Sequence, residues 1–330
     1  MGSVVLSLDA ELAWGFHDHE TTPDSRGDAA RESWLRLLEL FDEFDVPATW
    51  AVVGHLFLDS CDGEHADYLR TAGSDADDPE SEESSADDRF DRDPGTWEGR
   101  DEAWYGSKLI DAIEAADADH DVGIHTFSHV DMSQVSREVA AAEVRESVEL
   151  VEERGLSAES FTFPDECVAH RDVLAAYGVR SYRAARPRRW YETGLLGAAV
   201  ELLGWPTGTV SPTLVEPEED DYGLVSLPAS LHLFGFEGRT RDAVARLTED
   251  PVVEATKQGI DRAATENGVF HVWFRPNDLT DERDFDRVEA TLEHLAAVRD
   301  RTDLSVETMA DVAADVKDDE PLPREPIGPR

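Results

Sequence analysis

Val4-Val5-Leu6-Ser7-Leu8-Asp9-Ala10-Glu11 decides the reading of this chain. The run from Val4 to Leu8 is short, apolar and rich in β-branched residues, and it ends abruptly in charge. That is the pattern of a strand buried on both faces, with Asp9 and Glu11 just beyond its C-terminal end. An amphipathic helix follows at Ala30 to Phe44, with Trp34, Leu37, Leu38 and Phe41 at steps of three and four. Pro47 ends it, and Ala48 to Val53 reads as a second buried strand. Further strands are expected at Asp121–His125, Ser160–Phe163, Arg180–Arg183, Val225–Pro228, Gly268–Phe274 and Leu304–Glu307. Helices are expected near Gly106–Ala116, Ser136–Arg154, Arg171–Tyr177, Thr240–Glu266 and Asp284–Asp300.

Apolar strands alternating with helices at least six times predict an α/β fold, a parallel sheet covered by helices, either open or closed into a barrel. Such folds place their chemistry beyond the C-terminal ends of the strands. No GxGxxG or GxxxxGK[ST] follows an early strand, so nucleotide binding has no support. The organisation is read as one domain over residues 1–316, with an acidic Ser- and Gly-rich surface insertion at about 74–93. A disordered, proline-rich tail is expected at 317–330.

Composition bounds the partners. The chain has 330 residues with 74 Asp plus Glu against 30 Lys plus Arg, a formal net charge of −44. Such a polyanion repels nucleic-acid phosphates and anionic lipid, and neither is expected as a partner. Only Lys108, Lys257 and Lys317 are lysines. An excess of acid with so few lysines is the surface expected of a protein from a very salty cytoplasm, where salt screens the self-repulsion. Hydrophobic residues at 40%, including eight Trp and thirteen Phe, are enough to build a sizeable core and argue against disorder throughout. Cys61 and Cys167 are too few for a disulfide framework or a cysteine-based zinc site. The opening residues lack the basic start of a signal peptide and no apolar run is long enough to span a membrane, so a cytoplasmic protein is expected.

Two motifs carry the chemistry. Asp9 and Glu11 follow the first strand; His125-Thr126-Phe127-Ser128-His129, an HxxxH pair, follows the third. On one helical turn, residues four apart share a face and can share an ion. One carboxylate and two imidazoles give three protein ligands and leave a position open, the form of a catalytic metal site.

With these motifs, and with Phe161-Thr162-Phe163-Pro164, Leu227-Pro228-Ala229-Ser230 and Phe270-His271-Val272-Trp273-Phe274, the sequence resembles the polysaccharide deacetylase family of NodB-homology carbohydrate esterases from Val4 to about Met309. The resemblance implies a distorted (β/α) barrel of about seven parallel strands. It also implies a divalent metal ion, usually Zn2+, and removal of acetyl groups from an N-acetylated sugar or glycan precursor. Asp9 matches the general base, and His125 and His129 match the metal ligands, with Glu11 as the third ligand in place of the acid usually adjacent to Asp9.

Two positions depart from the family pattern. No arginine adjoins Pro164, where Asp165 stands instead, and Arg275-Pro276 replaces the histidine-proline pair whose histidine acts as general acid. Asp165 and Arg275 are therefore expected to pair across the barrel mouth and to take the places of the missing catalytic groups, or Arg275 to pair with Asp9. His271 is a poor substitute acid, lying deeper in its strand, and His232 is an outside candidate. His55, after the second strand, reads as a structural histidine. Trp14, Trp104, Tyr105 and Leu227 are expected to line the sugar site, with Phe234 and Trp273 as further candidates against the alternative of core packing. A catalytically silent glycan- or metal-binding homologue and a hydrolase of another non-peptide C–N bond are the competing readings.

Overall fold

Strand β1 (Ser3–Ala10) is buried along its whole length. Alternation divides its side chains between two environments. Val4, Leu6, Leu8 and Ala10 join the main hydrophobic cluster with Trp34, Leu37 and Phe41 of the covering helix, while Ser7 and Asp9 face polar partners inside the ring. The computed structural model describes residues 1–16, 24–61, 103–185, 204–205, 209–235 and 250–317. The acidic stretch at 74–93, the start of the helix expected from Thr240, and nearly all of the 317–330 tail lie outside the described residues.

After β1 come α1 (Asp24–Phe44), β2 (Thr49–Val52), α2 (Ser107–Ala115), β3 (Asp121–Ile124), α3 (Arg137–Glu153), β4 (Ser160–Thr162), α4 (Arg171–Ala176) and β5 (Ser181–Ala184). They are followed by β6 (Glu218–Glu219), β7 (Val225–Pro228), β8 (Leu231–His232), α5 (Pro251–Glu266), β9 (Val269–Phe274), α6 (Glu282–Arg299), β10 (Ser305–Glu307) and α7 (Met309–Lys317). The helix starts follow local chemistry. Ser136 accepts from the Val139 N–H at the head of α3, Asp250 precedes Pro251 at α5, and Asp281 with Asp284 forms a capping box on α6.

The sheet order is β6-β7-β5-β4-β3-β2-β1-β9-β8, with β10 also on β1. Every pairing between named strands is parallel except β6 with β7. The segment from β7 to β8 closes the ring. Ala229 N–H still bonds to Ala184 of β5 at 3.1 Å, whereas the next residue, Ser230, bonds to His271 of β9 at 2.7 Å. β7 and β8 are thus one bent strand that leaves one edge of the sheet and joins the other. With it, the ring has the seven positions expected of a distorted (β/α) barrel. The two-residue strands β6 and β8 and the helix α7 were not expected from the sequence.

At the end of the ring away from Asp9, Asp121 accepts hydrogen bonds from Thr49 at 2.9 Å and Ser160 at 2.5 Å. Burial there outweighs these bonds and pushes its carboxyl up to about 6. Among the described residues, no helix is long and apolar enough to cross a membrane.

Candidate metal centre and catalytic site

The segment 125–129 is not a helical turn, which corrects the geometry expected for the HxxxH pair. Thr126 and His129 both have φ in the left-handed region, 57° and 58°, a conformation that costs a residue with a Cβ and must be held in place by its surroundings. Glu143 of α3 holds it. Its carboxylate accepts hydrogen bonds from the N–H groups of Phe127 and Ser128, both at 2.8 Å, and from the Ser128 hydroxyl at 2.6 Å. Thr126 Oγ1 accepts from Val130 N–H, while Gly54 and His55 donate their N–H groups to the carbonyls of Thr126 and Phe127. Bent in this way, the loop turns both imidazoles towards the end of β1.

Glu11 meets them there. Its Oε1 lies 3.3 Å from Nε2 of His129 and 3.4 Å from Nε2 of His125, and all three side chains are buried. One ligand atom from each falls within 4.8 Å of the others. The Nδ1 atom of His125 sits 2.8 Å from the Thr162 carbonyl and 2.7 Å from its hydroxyl. Since a carbonyl only accepts, the proton is assigned to Nδ1 and Nε2 keeps its lone pair. That Nε2 and the Glu11 Oε2 are buried without a hydrogen bond, a cost of about 1–3 kcal/mol each unless something else satisfies them. Converging buried acceptors call for a cation. The donor set of one carboxylate and two imidazoles, with one imidazole oriented through its second nitrogen, fits a divalent metal.

The charges agree. Burial alone would raise the Glu11 carboxyl, but the two imidazoles and the nearby Arg275 charge hold it well below the usual carboxylate range. Burial alone would lower His129, but the Glu11 charge and hydrogen bond raise it. Gly15 makes room for Glu11: a Cβ at that position would come within 1.9 Å of Oε2.

Asp9 stands beside the cluster, held from both sides. Thr162 Oγ1 donates to Oδ1 at 3.1 Å, and Arg183 donates from Nη2 to Oδ2 at 2.6 Å. Desolvation pushes the carboxyl up, the guanidinium pushes it down, and the guanidinium with His125 prevails. Arg183 also donates to Ser7 Oγ at 3.2 Å and packs its guanidinium 4.3 Å from the Trp273 ring centroid. Ser7 in turn contacts His271 Nε2 at 2.8 Å. Fully buried and close to Arg183, His271 is lowered to about 3 and is neutral.

Several sequence expectations need correction. Arg275 pairs neither with Asp165 nor with Asp9. It turns to Asp278, three residues on in the same short turn, with Nη2 3.1 Å and Nε 3.2 Å from Oδ1. A partner so near in sequence requires little chain ordering, whereas a contact across the mouth would have to immobilise two long side chains. Asp165 is exposed, in a left-handed turn after Pro164, and reaches the centre only as a charge that helps raise His129. The arginine missing beside Pro164 is supplied by Arg183, one strand over on β5.

The proposed sugar-lining residues are buried. Trp14 is fully buried, donating Nε1–H to Trp104 O at 3.1 Å and packing 4.5 Å from the His55 ring. Trp104 and Tyr105 are also buried, and the Tyr105 hydroxyl accepts from Cys61 N–H. Leu227 packs with Val5, Val215, Met309 and Val312. None of the four offers an open aromatic or apolar face in this structure. Phe234 is likewise buried, and Trp273 is half-buried, its ring stacked on His232 and packed against Arg183.

Arg183 and Glu143 were missed as functional residues, and each had a signal. Arg183 is the one cation among the inward-facing positions of its strand. Glu143 lies on the face of α3 that carries Val139, Ala140, Val144 and Ser147, where an unpaired acid is costly.

Residues 22–180 match the family model described as polysaccharide deacetylase. The fold is similar to that of a putative polysaccharide deacetylase from Mycobacterium smegmatis, with a TM-score of 0.58 and 17% identity over 99% of this chain and 94% of that one. A peptidoglycan deacetylase from Bacillus subtilis aligns over 96% of this chain and 92% of its own, at 10% identity and a TM-score of 0.40. No curated protein sequence matches this one. The family match over residues 22–180, the barrel and the buried Glu11–His125–His129 cluster at its mouth converge on one likeness: the chain is similar to the polysaccharide deacetylase family.

Proposed function

We propose that this protein is a metal-dependent hydrolase that removes the acetyl group from an N-acetylated sugar or glycan precursor, with Zn2+ held by Glu11, His125 and His129 and with Asp9 as general base. The observation that carries the reading is the position of Asp9. It is a buried carboxylate kept ionised by Arg183 beside three side chains suited to one cation.

Zinc bound at such a site polarises an amide carbonyl and brings the pKa of a coordinated water towards 7. The remaining work falls to the chain. Thr162 and Arg183 fix the two oxygens of Asp9, so the carboxylate is oriented before substrate arrives and needs no rearrangement to accept a proton. Thr162 also contacts His125, which couples the orientation of base and ligand through one hydroxyl.

The test is acetate release from an N-acetylglucosamine oligosaccharide by the zinc-loaded protein in concentrated KCl. Asp9→Asn is expected to abolish release while retaining one zinc per chain. His125→Ala is expected to lose both. Release that persists undiminished in Asp9→Asn would refute the assignment.

A further inference from the structure

The end of β9, where the family resemblance leads one to expect an acid, carries Arg275, which does not give up its proton at ordinary pH. An amide whose nitrogen leaves unprotonated is a very poor substrate, so some group at the mouth must supply a proton. His271 is excluded, being fully buried and held neutral beside Arg183. His125 and His129 are committed to the cation.

We propose that His232, on the bent strand that closes the ring, is the general acid that protonates the departing amine, and that Asp278 positions it. This rests on the reading of the site as a deacetylase. In the sheet, His232 is level with Trp273, which is level with Ser7, two residues before Asp9. The imidazole lies flat on the Trp273 ring, 4.0 Å between centroids at 9°. The same indole packs against Arg183, the partner of Asp9. Acid and base therefore stand on opposite sides of one Trp–Arg contact, on the inner face of the barrel.

His232 Nε2 lies 3.2 Å from Asp278 Oδ2, the only hydrogen bond the ring makes among the described residues. The side chain keeps 22% of its surface exposed. Asp278 is itself fixed: Oδ2 accepts the Arg275 N–H at 3.0 Å, and Oδ1 faces the guanidinium. Arg275 thus takes a role its residue type permits. It does not donate a proton but secures the carboxylate that secures the histidine.

The proton balance is simple. As the C–N bond of the tetrahedral adduct breaks, its electron pair stays on nitrogen. The imidazolium Nδ1–H, on the ring edge away from Asp278, passes its proton to that nitrogen. Acetate and a free amine leave, Asp9 gives up to solvent the proton it took from the attacking water, and the neutral imidazole regains one, so both groups return to their starting states.

The experiment compares two leaving groups on zinc-loaded protein. An N-acetylglucosamine oligosaccharide needs protonation of its leaving amine; 4-nitrophenyl acetate releases a phenolate that does not. His232→Gln should lower kcat on the sugar by at least about 100-fold, the scale of general acid catalysis, with KM changed less than about threefold on the same scale of comparison. On the nitrophenyl ester its loss should be small by comparison, and calorimetry should still count one zinc per chain. Asp278→Asn should give an intermediate loss confined to the sugar. If His232→Gln keeps the sugar activity, or loses both substrates equally with zinc still bound, the acid assignment fails. Asp9→Asn separates the two levels. Loss of both substrates in Asp9→Asn upholds the deacetylase reading whatever His232 does, and failure of wild type to release acetate from any amide would remove both.

Discussion

Replacing Glu143 with alanine should cripple metal binding from a position that touches no metal. The substitution strands two backbone N–H groups, of Phe127 and Ser128, and the Ser128 hydroxyl, all buried. At about 1–3 kcal/mol per stranded group, partly relieved by relaxation, the variant should lose roughly 4 kcal/mol of folding stability. The same contacts hold Thr126 and His129 at positive φ. Their loss lets the loop relax and move both imidazoles, and outer partners of metal ligands are typically worth about 10–100-fold in affinity. Zinc calorimetry and urea unfolding, both at one high KCl concentration, read the two effects. Glu143→Gln, which keeps the shape and an acceptor oxygen for the two N–H groups, should bind zinc more tightly than the alanine variant and serves if that one does not fold. Wild-type zinc affinity in a folded Glu143→Ala would refute the argument that this carboxylate shapes the site.

Gly15→Ala should weaken zinc binding while leaving the barrel intact, because its Cβ would displace the Glu11 carboxylate; calorimetry against thermal unfolding tests this. Asp121→Asn should stabilise the protein near pH 8 and not near pH 4. The folded carboxyl titrates at about 6 rather than 3.8, so it favours folding while protonated at low pH. That contribution is lost as pH rises through 6, a change of up to about 3 kcal/mol at 1.36 kcal/mol per pH unit. Equal shifts in midpoint at both pH values would contradict it. With a net charge of −44, the unfolding midpoint should rise steeply between about 0.1 M and multimolar KCl, a range over which the screening length falls from about 10 Å to 3 Å or less; a flat dependence would count against a salt-adapted surface.

The alternation of buried strands and helices was legible in the sequence because its signal is local, whereas closure of the sheet into a barrel was not and came only with the family resemblance. Val225–Pro228 is a strand over the very residues its apolar pattern marks, and most other strand ends shift by a single residue. Two-residue strands such as β8 have no period to read. The ligands Glu11, His125 and His129 were legible as types and spacings, but their geometry was not. Four-residue spacing suits a helical turn, and only the buried Glu143 and the left-handed Thr126 and His129 show that the chain takes another route. Arg183 meets Asp9 across 174 positions of sequence, a distance at which no local pattern can indicate a partner. Arg275 shows the opposite error, a long-range pairing expected where a neighbour three residues away was available.

The bend between β7 and β8 has a mechanical consequence. Residues 229–232 are the seam at which the cylinder is fastened, held to β9 by a two-residue strand and its flanking bonds. Slipping or fraying there would part the wall and carry His232 away from Trp273 in one movement. With His232 as the proposed donor, proton donation and closure of the cylinder are yoked, and slow amide exchange at Ser230 and Leu233, whose N–H groups bond to His271 and Trp273 of β9, would mark the fastened state.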